Sequence, residues 1–101
     1  MVVEEMPRMK GGQQSLYENL SYPEEAREQG LEGRVMVQFE VHQDGSVHNV
    51  NIVRGAGNLL DQAVLEAFTK VEFEPGLQDG RPVKVLMTQP VVFRLPESSE
   101  S

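Results

Sequence analysis

The sequence contains no cysteine. That excludes disulfides, thiolate metal sites and a cysteine nucleophile, and it leaves the redox compartment open. Basic residues are scarce: 9 Lys and Arg stand against 16 Asp and Glu, a formal net charge of −7. Nucleic acid is bound by clustered Lys and Arg on one face, and no such cluster occurs. A basic helix for a membrane surface is absent for the same reason, so the acidity reads as solubility. No apolar run approaches the roughly 20 residues of a membrane-spanning helix. The opening Met1-Val2-Val3-Glu4-Glu5 is short and acidic, unlike a signal peptide, so any anchor of a parent protein is expected outside these residues. Internal repeats are also lacking. The 101 residues suit one domain with a single thin core, a sheet covered on one face.

Motifs of catalysis are missing as well. There is no Gly-x-Ser-x-Gly, and no serine has a His-plus-acid arrangement legible from spacing. Gly55-Ala56-Gly57 is half a phosphate loop without its Gly-Lys-Ser/Thr, and reads instead as a strand-to-helix loop. Asp44-Gly45 lacks the alternating acidic ligands of a calcium loop. No two carboxylates can be placed about 5 Å apart across a cleft, as glycoside hydrolysis requires. His42 and His48 are expected on opposite sheet faces, each solvated. No catalytic, cofactor-binding or metal-ligating residue is therefore assigned.

What is present is a pattern of elements. Gln13–Leu20 spaces Leu16 and Leu20 as a short helix. Pro23 to Gly30 carries helix punctuation: Pro23 at the first helical position, Glu24 and Glu25 at the positive dipole end, and Gly30 to stop it. Arg34–His42 alternates strictly, with Val35, Val37, Phe39 and Val41 on one face. Asp44-Gly45 is a hairpin signal, and Val47–Arg54 is the return strand. A two-residue loop would set Val41 opposite His48, Phe39 opposite Val50 and Val37 opposite Ile52. That register keeps Asn49 and Asn51 out of the core. A helix capped by Asn58 or Asp61 runs to about Lys70, with Leu60, Val64, Leu65, Ala67 and Phe68 as its apolar stripe. Residues 78–82 form a turn, and the last strand covers Val83–Leu95, interrupted by Pro90.

The fold class is therefore α+β. A three-stranded antiparallel sheet in order 2-1-3 has two main helices packed on one face, with a right-handed crossover. Residues 1–20 form an N-terminal extension with a short helix, 21–95 the domain, and 96–101 a polar tail expected to be disordered. Pro90 has no N–H to give a central strand, so the last strand has an open edge. An open edge offers N–H and C=O groups to a peptide of another protein. Pro90 and Lys84 could equally blunt that edge, or Val2-Val3 fill it.

The order and spacing of a longer series resemble the TonB C-terminal domain family. It includes Tyr22-Pro23, Ala26, Gly30, Glu32-Gly33-Arg34-Val35 and Val37-x-Phe39-x-Val41-x-x-Asp44-Gly45-x-Val47-x-x-Val50-x-Ile52. It continues through Leu60-Asp61, Ala63, Phe73-x-Pro75-Gly76, Gly80-x-Pro82-Val83 and Pro90-Val91-x-Phe93-x-Leu95. The stretch Val3-Glu4-Glu5-Met6-Pro7 with Gly11-Gly12 resembles TonB-like proteins of the Bacteroidetes type. Many members carry Trp two residues before the aromatic of Phe-x-Pro-Gly, where this chain has Val71.

The resemblance implies a periplasmic, non-enzymatic domain of an energy transducer. Such a domain captures a short extended segment of an outer-membrane transporter, the TonB box, as an added strand. An inner-membrane motor complex pulls through parts outside this chain. Carried over, the pairing residues are Val83, Lys84, Val85, Leu86, Met87, Thr88, Gln89, Pro90, Val91, Val92 and Phe93. The other class implied is a sensor or scaffold module attached to an envelope peptidase or receptor, or a self-associating module forming a homodimer.

Overall fold

Period-two alternation from residue 33 onward becomes the central strand of the sheet in the computed structural model, which describes residues 4–95. In chain order the elements are β1 (Arg8–Met9), α1 (Gly12–Asn19), α2 (Glu24–Glu28), β2 (Gly33–Val41), β3 (Val47–Arg54) and α3 (Asn58–Phe68). They are followed by β4 (Phe73–Glu74), β5 (Gly76–Gln78), β6 (Arg81–Val83) and β7 (Val85–Phe93). The main sheet is ordered β3-β2-β7 with both neighbours antiparallel, which is the 2-1-3 order the sequence predicts. Among the described residues, no helix is long and apolar enough to cross a membrane. The expectations for Val2-Val3 and for the tail fall outside the described residues.

Val35, Val37, Phe39 and Val41 are all fully buried, while the alternate side chains of β2 keep partial exposure. The helices therefore cover one face and leave the other to solvent. Phe39 sits at the centre, with ring centroids 4.9 Å from Phe68 and 5.4 Å from Phe73. From α3 come Leu60, Ala63, Val64, Ala67 and Phe68; Leu65 is half-exposed, and Ala63 takes the place assigned to it. Leu16 of α1 and Ala26 of α2 are fully buried in the same core. Tyr22 meets Phe93 edge-on at 5.3 Å and donates its hydroxyl to the Leu31 carbonyl. Its burial pushes the phenol pKa up, the nearby Glu32 charge adds to that, and Arg27 opposes both.

Several boundaries differ from the sequence reading. Pro23 is the N-cap of α2, with ψ 137°, one residue before the first helical position. The N-cap of α3 is Gly57, without a side-chain cap; Asp61 instead accepts the Ala56 N–H at 2.9 Å, bracing the loop that enters the helix. α3 ends at Phe68, and Thr69 and Lys70 form its closing turn. The last strand is two strands, split at Lys84, with β6 pairing back onto β5 through a left-handed Asp79-Gly80 turn. The N-terminal stretch is more ordered than an extended loop. Glu4 and Glu5 give their N–H groups to Leu77, and β1 pairs with β4.

The hairpin register is corrected at the turn. His42 N–H bonds to Ser46 C=O and Gly45 N–H to His42 C=O, so the loop has three residues, Gln43-Asp44-Gly45. Gly45 takes the left-handed conformation at φ 85°, as the third residue of such loops commonly does. Val41 therefore faces Val47, and His48 faces Glu40, not Val41. Asn49, at φ 53°, absorbs one residue as a bulge, and the predicted Val37–Ile52 pairing is restored beyond it. Asn can take this conformation because its short polar side chain tolerates it.

Candidate partner-binding edge

β2 and β7 pair without interruption from Gly33–Phe93 to Val41–Val85. A regular antiparallel ladder makes consecutive residues alternate between bonding the neighbour and turning away from it. Val92 fixes the phase, because its N–H turns outward to the Tyr17 hydroxyl at 3.2 Å. Pro90, Thr88 and Leu86 share that parity. Pro90 thus stands where a missing N–H costs the sheet nothing, which explains a proline inside a nine-residue strand.

The eleven residues assigned from sequence divide by this parity. Val85, Gln89, Val91 and Phe93 are buried, and Met87 is partly so, packed against the core. Leu86, Thr88, Pro90 and Val92 lie on the uncovered face, Leu86 being 61% exposed. Val83 belongs to β6 and Lys84 to the break between strands. The structure thus keeps an uninterrupted strand from Val85 onward and gives Val83 a partner in Gly76.

The other edge, β3, is a poorer template. Its pairing with β2 shifts between Met36 and Val37 and again between Gln38 and Glu40. Bulges twist an edge and break its run of unpaired groups. β7 has no such irregularity. Residues 4–9 do not fill it either, since they pair with Leu77, Phe73 and Glu74.

One helix does reach the β7 edge. α1 is anchored by the buried Leu16, and its Gln13 Oε1 accepts from Gln89 Nε2 at 2.9 Å. Sequence reasoning missed this contact, because the partners lie 76 residues apart and no local pattern couples them.

The turn end of the hairpin gathers polar groups that the sequence reading had separated. His42 and His48 lie on the same face with ring centroids 3.9 Å apart, because the three-residue loop shifts His48 by one position. Glu40 Oε1 contacts His42 Nε2 at 3.0 Å and accepts from Asn49 Nδ2 at 3.0 Å. Ser46, which the spacing left without a His and an acid, touches both: its hydroxyl donates to Asp44 and lies 2.8 Å from His48 Nε2. The serine stands between the acid and the imidazole, and its one proton goes to the acid. His48 then donates to Oγ and is not placed as the base that nucleophilic attack requires. Among the described residues, no three His or acidic side chains converge as metal ligands.

The His42 and Asn49 hydrogen bonds hold the Glu40 carboxyl below its ordinary value of 4.5, helped by the Lys84 charge. A depressed folded-state pKa stabilises the fold above the unfolded value, and that contribution is lost as pH falls through the folded value. Below about pH 4.5, denaturation curves of Glu40→Gln are expected to fall less steeply with acidification than those of the parent chain. Equal slopes would show that the carboxylate contributes nothing there.

Comparison with known proteins agrees with this architecture. The family model described as Gram-negative bacterial TonB protein C-terminal matches residues 18–95. Protein TonB of Vibrio cholerae is 35% identical over 75 residues, covering 73% of this chain and 31% of that protein. Protein TonB of Pseudomonas aeruginosa is 31% identical over 75 residues, covering 73% of this chain and 22% of that protein. The chain therefore spans less than a third of the length of these curated relatives. The solution structure of the Helicobacter pylori TonB C-terminal domain superposes with a TM-score of 0.65 at 28% identity, over 85% of this chain and 78% of that one. That of Pseudomonas aeruginosa gives 0.66 at 29%, over 76% and 79%. With most of its length matched in sequence and in fold, the chain belongs to the family of TonB C-terminal domains.

Proposed function

We propose that this domain is the partner-holding end of a TonB-like energy transducer in the periplasm of a Gram-negative cell. It is a binding domain, not an enzyme. The observation that carries the reading is the regular β7 edge, whose outward groups at Leu86 and Thr88 have no bonding partner among the described residues. A short extended segment of an outer-membrane transporter pairs there as an added strand. Main-chain hydrogen bonds supply generic affinity, and alternate side chains supply choice. The exposed Leu86 offers the segment an apolar neighbour. Force reaches the domain from an inner-membrane motor complex through an anchor in other parts of the parent protein. Family membership supports each of these roles.

Thr88→Pro tests the edge. The substitution removes an outward N–H and, by the parity that tolerates Pro90, no bond to β2. The folded amide spectrum is expected to survive, while a synthetic peptide copying the transporter segment loses about tenfold or more in affinity. In the parent chain, peptide-induced amide shifts are expected along β7. Shifts confined to the helices or to β3 would sink the proposal. A homodimer joined through the same edge would compete for these groups, so any self-association seen by sedimentation is expected to weaken as peptide is added.

A further inference from the structure

The edge of β7 is not open along its whole length. Val92 is exposed on the uncovered face, yet its outward N–H is already taken by Tyr17 of α1. Two residues before it, Pro90 has no N–H to offer, and one further back Gln89 is tied to Gln13 of the same helix. The helix cannot swing aside cheaply, because Leu16 on its inner side is fully buried in the core. We infer that α1 acts as a stop for the added strand and sets the length of partner the domain accepts. This rests on the strand-addition reading above.

The consequence for the partner is specific. The outward groups left to it are the N–H and C=O of Leu86, the N–H and C=O of Thr88, and the C=O of Pro90. These lie along about five residues of strand, roughly 17 Å at the usual rise. A segment that matches is short, extended for about five residues, and apolar where it passes Leu86. It must leave the sheet before reaching Tyr17. Residues of the segment beyond that point gain no ladder bonds, so lengthening it adds little. Tyr17 is a specificity-determining residue that acts by occupying a backbone donor, and its exposed ring (42% exposed) leaves the core intact when the hydroxyl is removed.

Tyr17→Phe separates the stop from ordinary packing, since it deletes only the acceptor. In the free variant, the Val92 amide is expected to exchange with solvent faster than in the parent chain, with Leu86 and Thr88 unchanged. Two transporter-segment peptides, of about five and about nine residues, then probe the edge. In the parent chain both are expected to bind within about twofold of each other, with amide shifts ending before Val92. In Tyr17→Ala, which clears the ring as well as the hydroxyl from the edge, the longer peptide is expected to bind about fivefold tighter than the shorter, the worth of one further main-chain hydrogen bond, and to shift Val92. If the longer peptide shifts Val92 and binds several-fold tighter in the parent chain, the stop is overturned while strand addition stands. If neither peptide shifts Leu86 and Thr88, strand addition itself fails and the stop falls with it.

Discussion

Phe39→Ala is expected to destabilise the domain by about 3–5 kcal/mol, the range for removing a fully buried phenylalanine. Phe39 is 0% exposed and joins three elements, with Phe68 of α3 on one side and Phe73 of β4 on the other. Those neighbours sit on separate elements, each held by its own backbone, so they cannot close the gap together. A domain of this size has only about 5–15 kcal/mol in total. The loss is therefore a large fraction of the whole, and the melting temperature is expected to drop on the order of 20 °C. Denaturant unfolding measures it: a shift under about 1 kcal/mol would mean that the core collapses around the site or that Phe39 is not its centre. The effect should appear as stability alone, with the peptide bound normally wherever the variant remains folded, because the backbone of Phe39 that pairs with Met87 is unchanged and the outward groups of β7 face away from β2.

Gly45→Ala carries the second large effect and acts through the backbone. Gly45 holds φ 85°, where an L side chain costs roughly 1–2 kcal/mol. A Cβ built there would lie 2.1 Å from the Phe73 carbonyl oxygen, a contact that must be relieved by moving main chain. The movement would break the bond from Phe73 N–H to Gly45 C=O, 3.1 Å long, which ties the hairpin tip to β4. Strain and separation together are expected to cost about 2–4 kcal/mol. Asp44 would report the damage: hydrogen bonds from the Ser46 hydroxyl and backbone N–H hold its carboxyl below the ordinary value, and a distorted turn returns it upward in a carboxyl titration followed by NMR. A near-neutral stability change would show that the tip rides free of Phe73.

Some of this was legible in the residues. The strict alternation of Val35, Val37, Phe39 and Val41 gives a covered strand because period-two spacing places every second side chain on one face. The stripe of α3 and the turns at Asp44-Gly45 and Asp79-Gly80 follow from equally local chemistry. Pro90 pointed to an edge because a missing N–H is tolerated only where no neighbour asks for it. The motif series over Tyr22–Leu95 named the family that residues 18–95 match.

Other features had no local signal. A three-residue loop and a two-residue loop both suit Asp44-Gly45, and the choice depends on the Asn49 bulge and on the docking of Gly45 against Phe73. That one-residue difference carried His48 across to Glu40 and beside His42, since a single step in register exchanges the two faces of a strand.

By itself, then, the sequence determined the three strands of the main sheet, the helices, the order of those strands and that the last of them is an edge, because period, propensity and turn chemistry act over a few residues. Only the tertiary structure decided how much of that edge is free. Tyr17 meets Val92 and Gln13 meets Gln89 across 75 and 76 residues. Such contacts arise from where Leu16 seats its helix on the shared core, and nothing in the local pattern of either segment prescribes them.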